Sequence, residues 1–152
     1  MITKLAILSL MIVALALSLS AAASQGREAG GAKKTYVVLS ATDNETRISL
    51  KVSELLLVVL PAQPGTGCTW RAIRSGKPLG TVEKLNFNQV QELMKAGALP
   101  SASEEGSPGS TERQVFRLSP VGKGNTTLEL HYVCVWEPNK VAKKFRVTLQ
   151  VS

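Results

Sequence analysis

From Thr35 onward, the pattern of apolar and polar positions has a period of two over most of the chain. Apolar residues at positions 48, 50 and 52 alternate with polar ones, and similar alternation recurs over residues 128–132 and 145–151. Such alternation is typical of strands with one buried and one solvent-exposed face. About seven short strands, separated by Gly, Pro and Asn turns, predict an all-β fold of the antiparallel β-sandwich type.

One segment is apolar without alternation. Residues 54–60 (ELLLVVL) form a nearly continuous apolar run, and Pro61 follows them directly. A run of this kind is expected for a central strand that is covered on both faces. We predict that this strand ends at Pro61.

Another segment has helical rather than strand spacing. Its apolar positions are Phe87, Val90 and Met94. We predict a short helix over residues 88–96, with a capping box between Asn88 and Gln91 and with Gly97 as its terminator.

The N-terminal segment has the features of a secretory signal. Lys4 precedes an apolar run over residues 5–19, and small residues follow it. We predict a signal peptide over residues 1–23, a disordered lead-in over residues 24–34 and one folded domain over residues 35–152. The protein is then secreted or periplasmic, with no membrane association after cleavage. The alternative is an uncleaved anchor, because the apolar run is just long enough to span a bilayer.

Composition excludes several classes of function. One His and two Cys cannot build a multi-ligand His/Cys metal site, and we expect no metal and no cofactor. The single His131 lies in an alternating strand and is expected to face solvent. The acidic residues are scattered, and no Gly-rich phosphate loop follows a strand. The sequence therefore predicts a protein that is not an enzyme.

Positive charge exceeds negative charge, since 18 Lys and Arg stand against 11 Asp and Glu for a net charge of +7. Several of the cations lie in the predicted strands and turns, and they are Arg71, Arg74, Lys77, Lys140, Lys143 and Lys144. We expect them to form a solvated face or to steer the protein towards an acidic partner. Nucleic-acid binding is disfavoured, because two Trp, two Tyr and three Phe are few for a base-stacking surface.

Three loops are candidates for binding. They cover residues 63–70 (QPGTGCTW), 106–109 (GSPG) and 132–139 (YVCVWEPN). By composition alone, the first is also compatible with an ordinary inter-sheet turn and a core Trp, and the second with a simple flexible turn. In the third, Trp136 lies next to Glu-Pro-Asn, which indicates a partly exposed aromatic at a loop tip.

The first loop resembles a signature of the chagasin-type inhibitors of papain-like cysteine peptidases. That signature reads Asn-Pro-Thr-Thr-Gly, an aromatic, any residue, then Trp. Four positions match it: Pro64, Thr66, Gly67 and Trp70. Three positions depart from it: Gln63, Gly65 and Cys68.

The other two loops resemble the family less closely. Of the family's Gly-x-Gly-Gly turn, only the outer glycines are kept, as Gly106 and Gly109. In place of Arg-Pro-Trp the chain has Cys134 and Val135 followed by the matching Trp136, and Glu137 also matches. The resemblance covers roughly Thr35 to Ser152.

The resemblance implies an immunoglobulin-like sandwich of seven to eight strands whose three loops fill a peptidase cleft. The implied peptidase-binding residues are Pro64, Gly65, Thr66, Gly67, Cys68, Gly106, Gly109, Trp136 and Glu137. Trp70 has a structural role in this interpretation. The expected partner is a papain-like cysteine peptidase and the expected state is a monomer. The alternative function is a secreted immunoglobulin-like module that binds a ligand or a surface without inhibition.

We also predict a disulfide between Cys68 and Cys134. Secretion supplies an oxidising compartment, and the chain has no other cysteine. In an immunoglobulin-like sandwich, the start of the third strand lies beside the end of the sixth, where these residues fall. The alternative is two free thiols that pack as small apolar groups.

Overall fold

Eight β-strands and one α-helix make up the regular structure of the described residues, 33–100 and 112–152, in a computed structural model. In chain order they are β1 (Thr35–Leu39), β2 (Arg47–Leu50), β3 (Glu54–Ala62), β4 (Cys68–Arg74), β5 (Leu79–Lys84), α1 (Phe87–Lys95), β6 (Glu112–Pro120), β7 (Gly124–Cys134) and β8 (Glu137–Val151). The predicted signal peptide lies outside these residues. None of the described residues form a helix that is long and apolar enough to cross a bilayer.

The strands form two four-stranded sheets. The first sheet has the order β1-β3-β6-β5, and the second has the order β2-β8-β7-β4. The predicted β-sandwich is therefore confirmed. The pairing is not antiparallel throughout, because β1 runs parallel to β3 and β2 runs parallel to β8. The two N-terminal strands thus add one edge strand to each sheet.

The main core lies between the sheets and is built by the alternating positions. Most of the alternate strand residues that face inward are buried, and those that are fully buried include Leu56, Val58, Leu118, Leu128, Leu130, Val147 and Leu149. Each such side chain contributes roughly 1.5–3 kcal/mol to stability through its transfer from water. This core makes a rigid base for the loops that connect the strands.

A second, smaller core covers the outer face of the first sheet. Leu57 of β3 is fully buried there and packs in one cluster with Leu93 of α1 and Val115 of β6. The prediction that residues 54–60 form a strand covered on both faces is confirmed, with α1 as the second cover. Pro61 does not end this strand, which continues to Ala62. Pairing of β3 with β1 stops at Val58, so Pro61 has a neighbour strand on one side only.

The predicted helix exists, but it begins one residue earlier than expected, at Phe87, and its capping box lies two residues earlier. Asn86, not Asn88, is the N-cap, and its side chain accepts a hydrogen bond from Gln89 N. Leu85 precedes this cap and joins the same apolar cluster as Val90, which gives a hydrophobic staple. A cap at Asn88 would place a glutamate at the staple position. The helix ends as predicted at Gly97, which has a positive φ of 72°.

Candidate functional site

Several connections meet at one end of the sandwich, which we call the loop end. Ala62 at the end of β3 pairs with Glu112 at the start of β6. On the second sheet, Cys68 at the start of β4 pairs with Cys134 at the end of β7. The loop end therefore carries the β3–β4 connection, the β7–β8 turn and the beginning of β6. Gly106 and Gly109 lie outside the described residues, and Glu112 follows their segment at this same end.

The β3–β4 connection is a tight turn fixed by its own hydrogen bonds. Pro64–Thr66 form a single 3₁₀ turn, in which Gly67 N donates to Pro64 O at 2.9 Å. The Thr66 hydroxyl donates to Gln63 O at 2.5 Å. Gly67 has φ 74°, a left-handed conformation that favours glycine over residues with a Cβ. The turn leaves Pro64, Gly65 and Thr66 exposed at its tip.

Two buried aromatic rings hold the base of this turn. Trp70 is 4% exposed, and its Nε1 donates a hydrogen bond to Pro61 O at 2.9 Å. The Tyr132 hydroxyl accepts a hydrogen bond from Gln63 N at 3.0 Å. The two rings contact each other with centroids 5.1 Å apart. Because these partners flank the turn on both sides, its tip is presented from a fixed base.

The β7–β8 connection is a two-residue turn, shorter than the loop over residues 132–139 that the sequence indicated. Val135 and Trp136 alone lie between the strands, and β8 begins at Glu137. Both side chains are exposed, Val135 to 65% and Trp136 to 59%. The prediction failed here because β7 and β8 pair at Cys134 with Glu137, and again from Val133 with Val141, although residues 137–144 are largely polar.

The two turns touch each other. Val135 N donates a hydrogen bond to Gly67 O at 3.1 Å. The Trp136 ring lies over Gly67, so that a Cβ added to Gly67 would stand 2.9 Å from Trp136 Cζ3. Absence of a side chain at Gly67 thus allows the indole to pack on the first turn. Pro64, Gly65, Thr66, Val135 and Trp136 together present one exposed, mainly apolar surface.

A disulfide joins Cys68 to Cys134 beneath this surface, as the sequence analysis predicted and against the alternative of free thiols. The two residues are directly paired in the β4–β7 ladder, with Cα atoms 4.0 Å apart. Cys68 is only 6% exposed, so its side chain serves the disulfide and is turned away from the exposed surface. The covalent bond fixes the first turn against the second.

Gln114 is a structural residue of the site that sequence reasoning missed. It lies on β6 and is 9% exposed, yet its Oε1 accepts a hydrogen bond from Trp70 N at 2.9 Å. Its Nε2 donates to the Thr69 hydroxyl at 3.0 Å. The amide therefore links the first sheet to the edge strand of the second sheet, next to Cys68. No local pattern could identify it, because its partners are 44 and 45 residues away in sequence.

Two other residues singled out in the sequence, Glu137 and His131, are not part of the contact between the two turns. Glu137 is exposed, with Oε2 3.4 Å from Lys140 Nζ. His131 lies on the outer face of the second sheet, but its side chain is only 15% exposed, and it shares a hydrogen bond of 2.5 Å with Glu129. Among the described residues, no group of three His, Cys, Asp or Glu side chains is arranged to hold a metal ion.

Comparison with solved structures identifies similar folds. The cysteine protease inhibitor EhICP2 from Entamoeba histolytica aligns with a TM-score of 0.56 and 15% identity, over 78% of this chain and 97% of that chain. Amebosin aligns with a TM-score of 0.52 and 22% identity, over 78% and 98% of the two chains. PbICP-C, whose structure is in complex with falcipain-2, aligns with a TM-score of 0.45 and 16% identity, over 78% and 99%. A search of curated proteins gave no match.

Comparison with protein families gives the assignment at the level of sequence. The profile described as chagasin family peptidase inhibitor I42 matches residues 49–151. This match includes both turns of the loop end, the disulfide and all strands from β3 to β8. The chain therefore belongs to the chagasin family of peptidase inhibitors.

Proposed function

We propose that the protein is a secreted, reversible inhibitor of papain-like cysteine peptidases that blocks the active-site cleft with its loop end. The observation that supports this most is the direct contact between the two turns, with Trp136 packed on Gly67 and both turns joined by the disulfide. Family members are peptidase inhibitors and not enzymes. EhICP2 is named a cysteine protease inhibitor, which supports the same class of target for this chain.

The geometry of the first turn suits insertion into a narrow cleft. Gly65 has no other atom within 4 Å of the position of a Cβ, so this part of the turn stands clear of the rest of the protein. Bare backbone at this point can approach a partner more closely than a side chain would allow. We expect the tip at Pro64, Gly65 and Thr66 to cover the catalytic cysteine, while Trp136 packs against one wall of the cleft.

Rigidity explains how such an inhibitor binds tightly. The hydrogen bonds from Trp70 and to Tyr132, together with the disulfide, hold the tip before the peptidase arrives. A turn that is already ordered loses less conformational entropy on docking, and more of the contact energy remains as affinity. A turn held in this way also resists adopting the extended conformation that a peptidase needs in a substrate, so we expect no cleavage.

The experiment is a tight-binding titration of papain with the purified, disulfide-bonded protein. We expect stoichiometric or near-stoichiometric loss of activity at nanomolar to micromolar inhibitor, with full recovery on dilution and an unchanged inhibitor mass. Absence of inhibition at micromolar concentrations would refute the proposal and favour the adhesive or ligand-binding module. N-terminal sequencing of the protein from a secreting host tests the signal peptide, with Ser24 as the expected first residue.

A further inference from the structure

The outer face of the second sheet carries a regular array of basic side chains that the inhibitor function does not use. Register pairs residues on β4, β7 and β8 into two adjacent rows across this face. The rows are Arg71–His131–Lys144 and Arg74–Glu129–Arg146. The residues at the two ends of each row, on β4 and on β8, are all cations and all exposed. We call Arg71, Arg74, Lys144 and Arg146 the basic face.

Negative charge on this face is insufficient to neutralise it. Glu129 is the carboxylate in the two rows, and it is already engaged by the hydrogen bond with His131. That hydrogen bond holds the pKa of Glu129 below its usual value against the opposing effect of burial, with smaller contributions from the charge interactions with His131, Arg146 and Arg74. Within residues 33–100 and 112–152, none of the four cations of the basic face forms a direct ion pair.

One further cation lies beside each border of the basic face. Lys84 belongs to β5 of the first sheet, and its Nζ donates a hydrogen bond to the Thr69 hydroxyl of β4 at 2.9 Å. Burial, and then the positive charge of Arg71, lower the pKa of Lys84. The second cause shows that Lys84 and Arg71 are close enough to repel each other. On the opposite border, Arg47 of β2 pairs with Thr148, two residues along β8 from Arg146. Positive charge therefore crosses the full width of the sheet.

We infer that this face binds a linear sulfated polysaccharide. The two cations of each row lie on β4 and β8, on either side of β7, and are therefore about 10 Å apart, while the two rows are about 7 Å apart with a bulge in β4 between them. The four cations form a grid whose spacing matches anionic groups repeated along a chain. Arginine binds sulfate-like oxyanions through two parallel N–H donors, and three of the four cations are arginines. A flat face of this kind offers no enclosure for a single small anion.

Two other classes of polyanion fit less well. Single-stranded nucleic acids are held by aromatic side chains on which bases stack, and the two rows contain no Phe, Tyr or Trp. Anionic membranes favour basic surfaces that also insert apolar side chains. Ile73, at the bulge of β4, is 56% exposed and lies next to the basic face, whereas the exposed Val135 and Trp136 belong to the loop end. A single apolar side chain beside the basic face is not the apolar patch that membrane insertion requires.

Binding at this face leaves the loop end free. The row of Arg71 lies three residues, or about 10 Å, along β4 from Cys68, and side chains on a sheet stand roughly perpendicular to its plane. We therefore expect that a polysaccharide on the basic face and a peptidase at the loop end can be bound together. This inference does not depend on the proposed function, and it assigns the protein a means of being retained on a sulfated matrix.

The experiment is a titration of the intact, disulfide-bonded protein with heparin at about 0.15 M salt. We compare the wild type with Arg71→Gln/Lys144→Gln, with Arg74→Gln/Arg146→Gln and with the control Lys51→Gln/Lys123→Gln. The control removes the same charge from exposed positions at the opposite end of the sandwich. We expect each row variant to bind heparin roughly tenfold more weakly, with a shallower dependence on salt, and the control to bind like the wild type.

Parallel titrations use desulfated heparin, duplex DNA and vesicles that contain phosphatidylserine. Selective binding of heparin, lost on desulfation, supports the inference. No heparin binding at 0.15 M salt would overturn it, as would equal weakening in the control, which would indicate a response to net charge alone. Equal or tighter binding of DNA or of vesicles would also overturn it. Thermal melting confirms that each variant is folded, and the two row variants test the face independently.

Discussion

At the scale of single residues, the two tryptophans of the chain differ in burial and in contacts. Trp70 is 4% exposed, donates a hydrogen bond to Pro61 O and contacts Tyr132, whereas Trp136 is 59% exposed and lies over Gly67. We therefore expect the first to contribute mainly to stability and, under the proposed function, the second to contribute mainly to peptidase binding. The residues next to each tryptophan were enough to predict this difference from the sequence. One tryptophan follows a glycine turn at the start of a strand, and the other precedes Glu-Pro-Asn.

Substitution of the two tryptophans should therefore have opposite effects. We expect Trp136→Ala to weaken peptidase inhibition by about 2 kcal/mol, or roughly 30-fold, with little change in melting temperature. Trp70→Ala should lower the free energy of unfolding by about 3–5 kcal/mol. Inhibition constants and thermal melts of both variants test this, with Val121→Ala as an exposed apolar control at the opposite end. Equal destabilisation by both tryptophan substitutions would contradict the assignment.

Two glycines of the first turn also have separable roles. Gly67 has φ 74° and the Trp136 ring above it, while the space around Gly65 is empty to 4 Å. We expect Gly67→Ala to destabilise the protein by about 1–2 kcal/mol, because a Cβ is strained in this conformation, and to displace Trp136. Gly65→Ala should leave the melting temperature unchanged and weaken inhibition only, because its methyl group meets the peptidase.

Thermal melts and inhibition constants of the two glycine variants distinguish these effects. Unchanged inhibition by Gly65→Ala would show that this position does not approach the target closely.

At the scale of elements, α1 shows what sequence patterns decide and what they leave open. Helical spacing predicted its existence, but Asn86 and Asn88 each have a Gln three residues later, so two capping boxes compete. The staple between Leu85 and Val90 selects Asn86, and this contact depends on the sheet beneath them. In the same way, the apolar run of β3 predicted that both faces of this strand are covered. The sequence pattern did not show that α1 covers its outer face, because that contact is between distant segments.

The candidate site was predictable to a similar extent. Both turns and the cysteine pair could be identified from residue types and the family resemblance. The shortness of the β7–β8 turn could not, because residues 137–144 are largely polar and show no apolar alternation, although several of them pair with β7. Gln114 was hidden for a different reason, since its role arises from partners on another sheet.

Glu83 connects three elements and gives stability a dependence on pH. Arg117 Nε and Nη2 both donate to Glu83 Oε2, at 3.1 and 2.6 Å, and Gln89 of α1 donates to Oε1 at 3.1 Å. The hydrogen bonds from Arg117, and then from Gln89, lower the pKa of Glu83 in the folded protein. A lowered pKa stabilises the fold above the unfolded-state pKa of about 4.3, and this stability is lost as the pH falls through the folded-state pKa.

We therefore expect a smaller loss of melting temperature between pH 7 and pH 3 in Glu83→Gln than in the wild type. Thermal melts across this range measure it, with Glu112→Gln as the control at an exposed strand end. A wild-type acid dependence that persists in full in Glu83→Gln would show that this carboxylate does not contribute.

At the scale of the whole molecule, the disulfide is the strongest single constraint on the unfolded chain. It joins residues 66 positions apart, for which loop-closure entropy gives about 4 kcal/mol of stabilisation. We expect reduction to lower the melting temperature and, because the two turns separate more easily, to weaken inhibition as well. Melts and titrations with and without reductant test this. Full inhibition by the reduced protein would show that the bond stabilises the fold without organising the site.

The parallel pairing of β2 with β8 has a consequence for the order in which the protein forms. Ile48 lies beside Leu149, so this ladder joins segments from nearly opposite ends of the domain. Contacts so distant in sequence form late, because a long loop must close first, whereas the β7–β8 hairpin is local. The Cys68–Cys134 bond keeps the two turns of the loop end near each other even in the unfolded chain, whereas no covalent bond holds β2 near β8. Stopped-flow refolding of the disulfide-bonded protein should then show an early hairpin signal and a slower phase for the β2–β8 ladder, roughly in milliseconds to seconds. We therefore expect the N-terminal edge of the second sheet to be among the last parts of the molecule to be assembled.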